Sequence, residues 1–215
     1  MYLMSKIKIW VFDFDGTLVD SNLIKRNCFF EVVKDDPNGA KLMCSVLLKN
    51  NGDRATIFDK YCAIREDFCG RSNDLLSQYS NLVNRRVAEA QEVPGAVDFL
   101  EKLRKSNVKI VLSSATPIND LITVLDMKSW RKKFDLIYGS PSKKSLVIKE
   151  QLLRFECLPS EIAVVGDGED DLNSAWSNGC EFFPIGDARG YRENGGTDEI
   201  HTFLSLCQRV IGTED

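Results

Sequence analysis

Two carboxylates one residue apart, Asp13 and Asp15, close the apolar-leaning run Ile7-Lys8-Ile9-Trp10-Val11-Phe12, which predicts a buried strand. Open α/β sheets carry their chemistry at the carboxyl ends of strands, where this pair falls. Alternation with Phe14 sends both carboxylates to one side while the chain stays extended, and Gly16-Thr17 turns it at once. Neighbouring anions repel unless a cation lies between them or one of them carries a proton. The pattern therefore points to a hard metal such as Mg²⁺ and to divided acid and nucleophile roles. A surface turn after an edge strand is the plain alternative, but Asp-x-Asp-Gly-Thr after an apolar run is far more restrictive than a loose glycine pattern.

Three further polar clusters stand at predicted strand ends. Ser113-Ser114 follows Ile110-Val111-Leu112; a hydroxyl there, with the Ala115 amide, could hold a phosphate oxygen, or the serines could cap the helix after Pro117. Lys143-Lys144 opens a predicted helix behind Gly139-Ser140-Pro141-Ser142. A cation at a helix N-terminus is mildly unfavourable, so it calls for an anionic partner unless it is simply solvated. Gly166-Asp167 follows Val164-Val165, and Asp171 stands four residues after Asp167, on one face if a helix begins there, although acidic residues also serve as ordinary caps. With the first pair this gathers up to four carboxylates at one rim, a concentration that is costly without a divalent cation.

The elements that must position these clusters alternate from Pro94-Gly95 onward. A helix over 96–105 precedes a strand at 108–112, a helix at 118–127, a strand at 135–138, a helix from Lys144 to about Glu156 and a strand at 162–165. A helix over 172–178, a short strand near 181–183 and a final helix around 199–210 complete the chain. Repeated strand-helix units predict a parallel sheet covered on both faces. Residues 18–92 carry no strand pattern and read as an inserted helical lobe. One helix runs from near Ser21 through Val33, one through Leu42 and Leu47 to an Asn50-Asn51-Gly52-Asp53 turn, one through Ile57, Ile64 and Phe68, and one from Ser72 or Asn73 through Leu75 and Val83.

Composition narrows the function. The chain has 215 residues, 43% hydrophobic and 28% charged, an ordinary globular balance with no apolar stretch approaching a bilayer span. The beginning of the chain shows no secretion signal, so a cytoplasmic protein is expected. Seven scattered cysteines without a C-x-x-C pair predict reduced, packed thiols. His201 is the only histidine, which argues against histidine triads and histidine-rich zinc sites and suggests a structural residue in a late helix. A net charge of −4 gives no general pull toward nucleic acid or an anionic membrane, and Lys128 with Arg131-Lys132-Lys133 reads as a solvated helix end. Oligomeric state is left open.

The chain resembles the haloacid dehalogenase superfamily, whose four motifs occur here in order. Asp13-Phe14-Asp15-Gly16-Thr17 matches the first, Ser114 (or Ser113) the hydroxyl of the second, Lys144 (or Lys143) the lysine of the third, and Gly166-Asp167 with Asp171 the acidic fourth. The resemblance implies a Rossmann-like core from 1–17 and 93–215 and a helical C1 cap from 18–92 that closes over the site. It implies that Asp13 attacks phosphorus to form an aspartyl phosphate, while Asp15 protonates the leaving oxygen and later activates water. Mg²⁺ would be held by Asp13, the backbone carbonyl of Asp15 and Asp167, with Asp171 as a further ligand or one step out. Lys144 and Ser114, with the Ala115 amide, would bind the transferred group. The implied activity is a Mg²⁺-dependent phosphatase acting on a small phosphorylated metabolite. The alternatives are a phosphomutase acting on a sugar phosphate and a non-catalytic regulatory or binding protein on the same fold; a dehalogenase has no need of Asp15 as an acid.

Overall fold

The computed structural model describes residues 6–49, 53–64, 70–186 and 201–211. Asn50, Asn51 and Gly52 of the expected turn, Phe68 at the end of the expected third helix, Cys69 and Glu199 lie outside the described residues. The chain divides into two compact units, 1–20 with 90–215, and 21–89.

The first unit is built on five parallel strands, β1 Ile9–Phe12, β2 Lys109–Pro117, β3 Leu136–Ser140, β4 Ile162–Gly166 and β5 Glu181–Pro184, in the order β3-β2-β1-β4-β5. Its helices are α5 Ala96–Lys105, α6 Ile118–Met127, α7 Lys144–Arg154, α8 Glu169–Ser177 and α9 Phe203–Ile211. After β1 the strand order runs outward in one direction through β2 and β3, then returns to β1's other side with β4. Ligands of open α/β sheets bind at such a reversal.

Period-two alternation along β1 decides which residues reach the site. Ile9 and Val11 pack with Val147 and Ile148 of α7 and Ala175 of α8. Trp10 and Phe12 face the other way, where Trp10 meets the Phe99 ring edge-on at 5.1 Å and Phe12 lies 6.4 Å from Phe203. Trp10 and Phe12 are essentially fully buried, each worth roughly 1.5–3 kcal/mol of apolar transfer. Asp13 continues the phase of Ile9 and Val11 toward α7 and α8. A register set by this two-sided burial cannot slip by one residue without exposing Trp10 and turning Asp13 away.

Where the insertion leaves the first unit, its two flanking segments pair: Val19 bridges Glu92, Val93 N–H donates to the Leu18 carbonyl, and Asp20 N–H to that of Gln91. The second unit holds α1 Asn22–Glu31, α2 Gly39–Lys49, α3 Arg54–Ile64 and α4 Ser72–Glu89. Its core stacks Phe29 on Tyr79 at 4.2 Å with Phe58 beside both. A buried Asp36 accepts hydrogen bonds from the Tyr61 hydroxyl at 2.5 Å and the Asn38 N–H at 3.0 Å.

Several boundaries depart from expectation. β2 does not stop at Leu112 but continues through Ser113, Ser114, Ala115 and Thr116 to Pro117, because Pro117 pairs with Ser140 of β3 across an irregular register. Asp167 and Asp171 are not joined by one helical face: α8 begins at Glu169 with Gly168 as its N-cap, so Asp167 precedes the helix. His201 is not helical; it bridges Ile185 ahead of α9 and packs against the Phe183 ring. In the basic cluster at 128–133, Arg131 and Lys132 are exposed, Lys128 donates to the Ala90 carbonyl, and Arg131 and Lys133 pair at the surface with Asp126 and Glu101. The described cysteines are all free thiols. Among the described residues no helix is long and apolar enough to cross a membrane.

Candidate active site

Asp13 leaves β1 with its N–H on the Val165 carbonyl of β4, which fixes its backbone between the two strands. The residue is buried, 8% exposed, and Oδ1 stands 3.0 Å from Lys144 Nζ. The same ammonium lies 2.7 Å from Asp171 Oδ1. Lys144 is the first residue of α7, so the helix dipole opposes its charge and the two carboxylates outweigh that opposition. Its neighbour Lys143, the N-cap residue, is exposed. One residue of helix phase separates a buried counter-charge from a solvated one.

Asp171 performs two tasks. Its Oδ2 accepts the Gly168 N–H at 3.3 Å, an end-of-helix bond, while Oδ1 meets Lys144. Gly166 makes this approach possible: a Cβ there would lie 2.3 Å from Asp171 Cγ and 2.5 Å from Oδ2. Asp167 is half-buried and accepts the Thr17 hydroxyl at 3.0 Å. Thr17 is itself fully buried behind the turn closed by Gly16 N–H on the Val19 carbonyl. The tip of β4 is thus tied to the turn after β1.

Asp15 turns the other way. Its Oδ2 accepts the Thr116 hydroxyl at 2.8 Å, at the end of β2. Ser113 and Ser114 are both buried, and the Ser114 hydroxyl accepts the Thr116 N–H at 3.1 Å. That bond lies inside the strand end and caps no helix, since α6 takes Pro117 as its N-cap. Ala115 is exposed at the same strand end.

Charge is unbalanced at this rim. Burial raises the Asp13 carboxyl above its ordinary range; Lys144 pulls it back, while Asp15 and Asp167 push it further up. Burial, with Asp13 beside it, pushes Asp171 up to about 8 against the attraction of Lys144. Burial also works against the Lys144 ammonium, yet Asp13 and Asp171 overcome it and hold the lysine protonated well above the usual range. Oxygens of Asp13, Asp167 and Asp171 lie within 4.8 Å of one another. An all-oxygen donor set with surplus negative charge is the chemistry that suits a hard divalent cation, so the residues present fit Mg²⁺.

A profile of haloacid dehalogenase-like hydrolases matches residues 10–185. The chain belongs to this family. Solved structures share the fold across nearly the whole chain. A haloacid dehalogenase-like hydrolase from Streptococcus pneumoniae is 24% identical, with 96% of this chain and 99% of that one covered at a TM-score of 0.66. A candidate β-phosphoglucomutase from Thermotoga maritima is 17% identical, covering 95% and 100% at 0.74. CbbY from Rhodobacter sphaeroides, in complex with phosphate, is 18% identical, covering 93% and 96% at 0.69. No curated protein sequence matches the chain.

Of the residues the sequence singles out, Asp13 and Asp15 follow β1, Ser114 lies near the end of β2, Asp167 follows β4, and Lys144 and Asp171 stand in the first turns of α7 and α8. Sequence reasoning gave no role to Thr17, Thr116 or Gly166. Thr17 and Gly166 stand inside the quoted motifs, which was the available signal; Thr116 stands two residues past Ser114 and meets Asp15 only through the irregular end of β2.

Proposed function

We propose that this chain is a Mg²⁺-dependent phosphatase that hydrolyses a small phosphorylated metabolite through an aspartyl phosphate on Asp13. The observation that carries the reading is the arrangement around Asp13: a buried carboxylate at the end of β1, an ammonium 3.0 Å away, and a second carboxyl, Asp15, held separately by Thr116. Support of another kind comes from CbbY, a fold relative seen in complex with phosphate and, as a variant, with xylulose 1,5-bisphosphate.

On this reading Asp13 attacks phosphorus, Asp15 gives its proton to the leaving oxygen as the P–O bond breaks, and Asp15 then takes a proton from the water that hydrolyses the aspartyl phosphate. Lys144 neutralises the transferred group, and Ser114 with the Ala115 amide orients it. Asp13, the Asp15 backbone carbonyl, Asp167 and Asp171 are the proposed Mg²⁺ ligands. Bound there, the ion screens the repulsion between Asp13 and the phosphate. The helical unit 21–89 is the proposed cap that selects the metabolite.

A phosphomutase would use the same Asp13 and Asp15, and the candidate phosphoglucomutase among the fold relatives keeps that reading open. Release of inorganic phosphate from a sugar phosphate supports the phosphatase; isomerisation that requires a bisphosphate activator supports the mutase. The deciding experiment assays a panel of phosphorylated metabolites with and without Mg²⁺, with Asp13→Asn as control. That variant is expected to keep its circular dichroism spectrum and release no phosphate; full activity in it would remove Asp13 from the mechanism.

A further inference from the structure

We infer that Thr116 is a positioning residue for the proton donor: its hydroxyl, 2.8 Å from Oδ2 of Asp15, holds that carboxyl against the end of β2. The inference rests on the phosphatase reading above and adds a residue to it.

The geometry originates in the irregular end of β2. Ser113 pairs with Tyr138 and Pro117 with Ser140, so four steps along β2 are matched by two along β3. Residues 114–116, opposite Gly139 alone, leave the regular ladder, as in a β-bulge that re-aims a side chain. Their backbone is nevertheless held closely. Ser114 Oγ accepts the Thr116 N–H, and Gly139 lies so near that a Cβ on it would stand 2.7 Å from the Thr116 carbonyl oxygen and 2.6 Å from Ile118 Cα. From this fixed backbone the Thr116 hydroxyl reaches Asp15 at 2.8 Å.

The Thr116 hydroxyl donates to Oδ2 and so ties one oxygen of the Asp15 carboxyl to the strand end. It also restricts rotation of the carboxyl, and positioning within about 1 Å governs rate by factors near 100. Thr116 touches no reacting atom in this scheme; it acts through Asp15.

The test separates protonation from general damage. Alkyl phosphates need a proton on the leaving oxygen, whereas p-nitrophenolate leaves as an anion. Single-turnover leaving-group release, with enzyme in excess, reads only the first transfer. For Thr116→Val, release from an alkyl phosphate that the wild type accepts is expected to slow about 10- to 100-fold. Release from p-nitrophenyl phosphate should change less than about 2-fold, since that step does not draw on the donor. Thr116→Ser, which restores the hydroxyl, should recover most of the alkyl rate. Equal slowing of both substrates, or no rescue by serine, would overturn the inference and leave the phosphatase reading intact. Loss of Asp13-dependent turnover in the wild type would overturn that reading and the inference with it.

Discussion

Lys144 is the only ammonium within salt-bridge reach of Asp13 among the described residues, 3.0 Å from its Oδ1, and the same Nζ serves Asp171 at 2.7 Å. Removing one member of a buried charge group leaves the others uncompensated, a cost on the order of 3 kcal/mol. Lys144→Met is therefore expected to lower stability by about that amount at pH 8. At pH 5.5 the loss should be smaller, because burial raises both Asp13 and Asp171 and the lower pH leaves fewer uncompensated carboxylate charges when the ammonium is gone. Urea unfolding at the two pH values measures the difference. Phosphate release should fall about 100-fold or more, as when a preorganised group facing transition-state charge is removed.

Gly166 bears directly on the same cluster. The Cβ of Gly166→Ala would fall 2.3 Å from Asp171 Cγ and 2.5 Å from its Cβ, so the carboxylate must leave its place against Lys144. Overpacking of this kind costs about 1–3 kcal/mol, and activity should drop with it. Gly168→Ala is the matched control: its Cβ would come only to 3.3 Å from Asp171 Oδ2, and a small effect is expected. Thermal unfolding and phosphate release on both variants decide whether Asp171's position, rather than loop damage in general, matters.

The parts legible in the sequence are those with local causes. Trp10 and Phe12 alternate with Ile9 and Val11, and a two-sided buried strand with that alternation determines where Asp13 points. The helices α5 and α6 begin where Pro94-Gly95 and Pro117 place them. The parts that were not legible depend on distant pairing. Lys143 is the extended N-cap and Lys144 the first helical residue, a boundary of one position, so spacing alone could not separate the buried lysine from the exposed one. The extension of β2 through Pro117 follows from pairing with Ser140, and the Thr116–Asp15 contact follows from that extension.

In the helical unit, the Tyr61 hydroxyl on buried Asp36 joins α3 to the turn after α1. Tyr61→Phe keeps the ring and removes that donor from a buried carboxylate, a loss of about 1–2 kcal/mol. Differential scanning calorimetry should show a lowered unfolding temperature. Tyr61 is given no part in phosphoryl transfer, so single-turnover release from p-nitrophenyl phosphate is expected to be unchanged below the transition.

Cation binding should compete with protons at the carboxylate cluster. Asp171 is raised to about 8 and Asp13 is raised above the carboxylate range, so below pH 8 the ion-free site carries a proton that an ion bound through these oxygens must displace. The sign follows: apparent Mg²⁺ affinity rises with pH and levels off above about 8. Because the folded chain binds this proton more tightly than the unfolded chain, the ion-free protein loses stability as pH climbs from the ordinary carboxylate range through about 8. Added Mg²⁺ should restore it, with a larger rise in unfolding temperature at pH 8 than at pH 6. Calorimetric titration of Mg²⁺ at pH 7 in two buffers of different ionisation enthalpy measures the protons released. A heat of binding independent of buffer would mean that the cluster is already fully ionised, and that Lys144 alone balances Asp13 and Asp171.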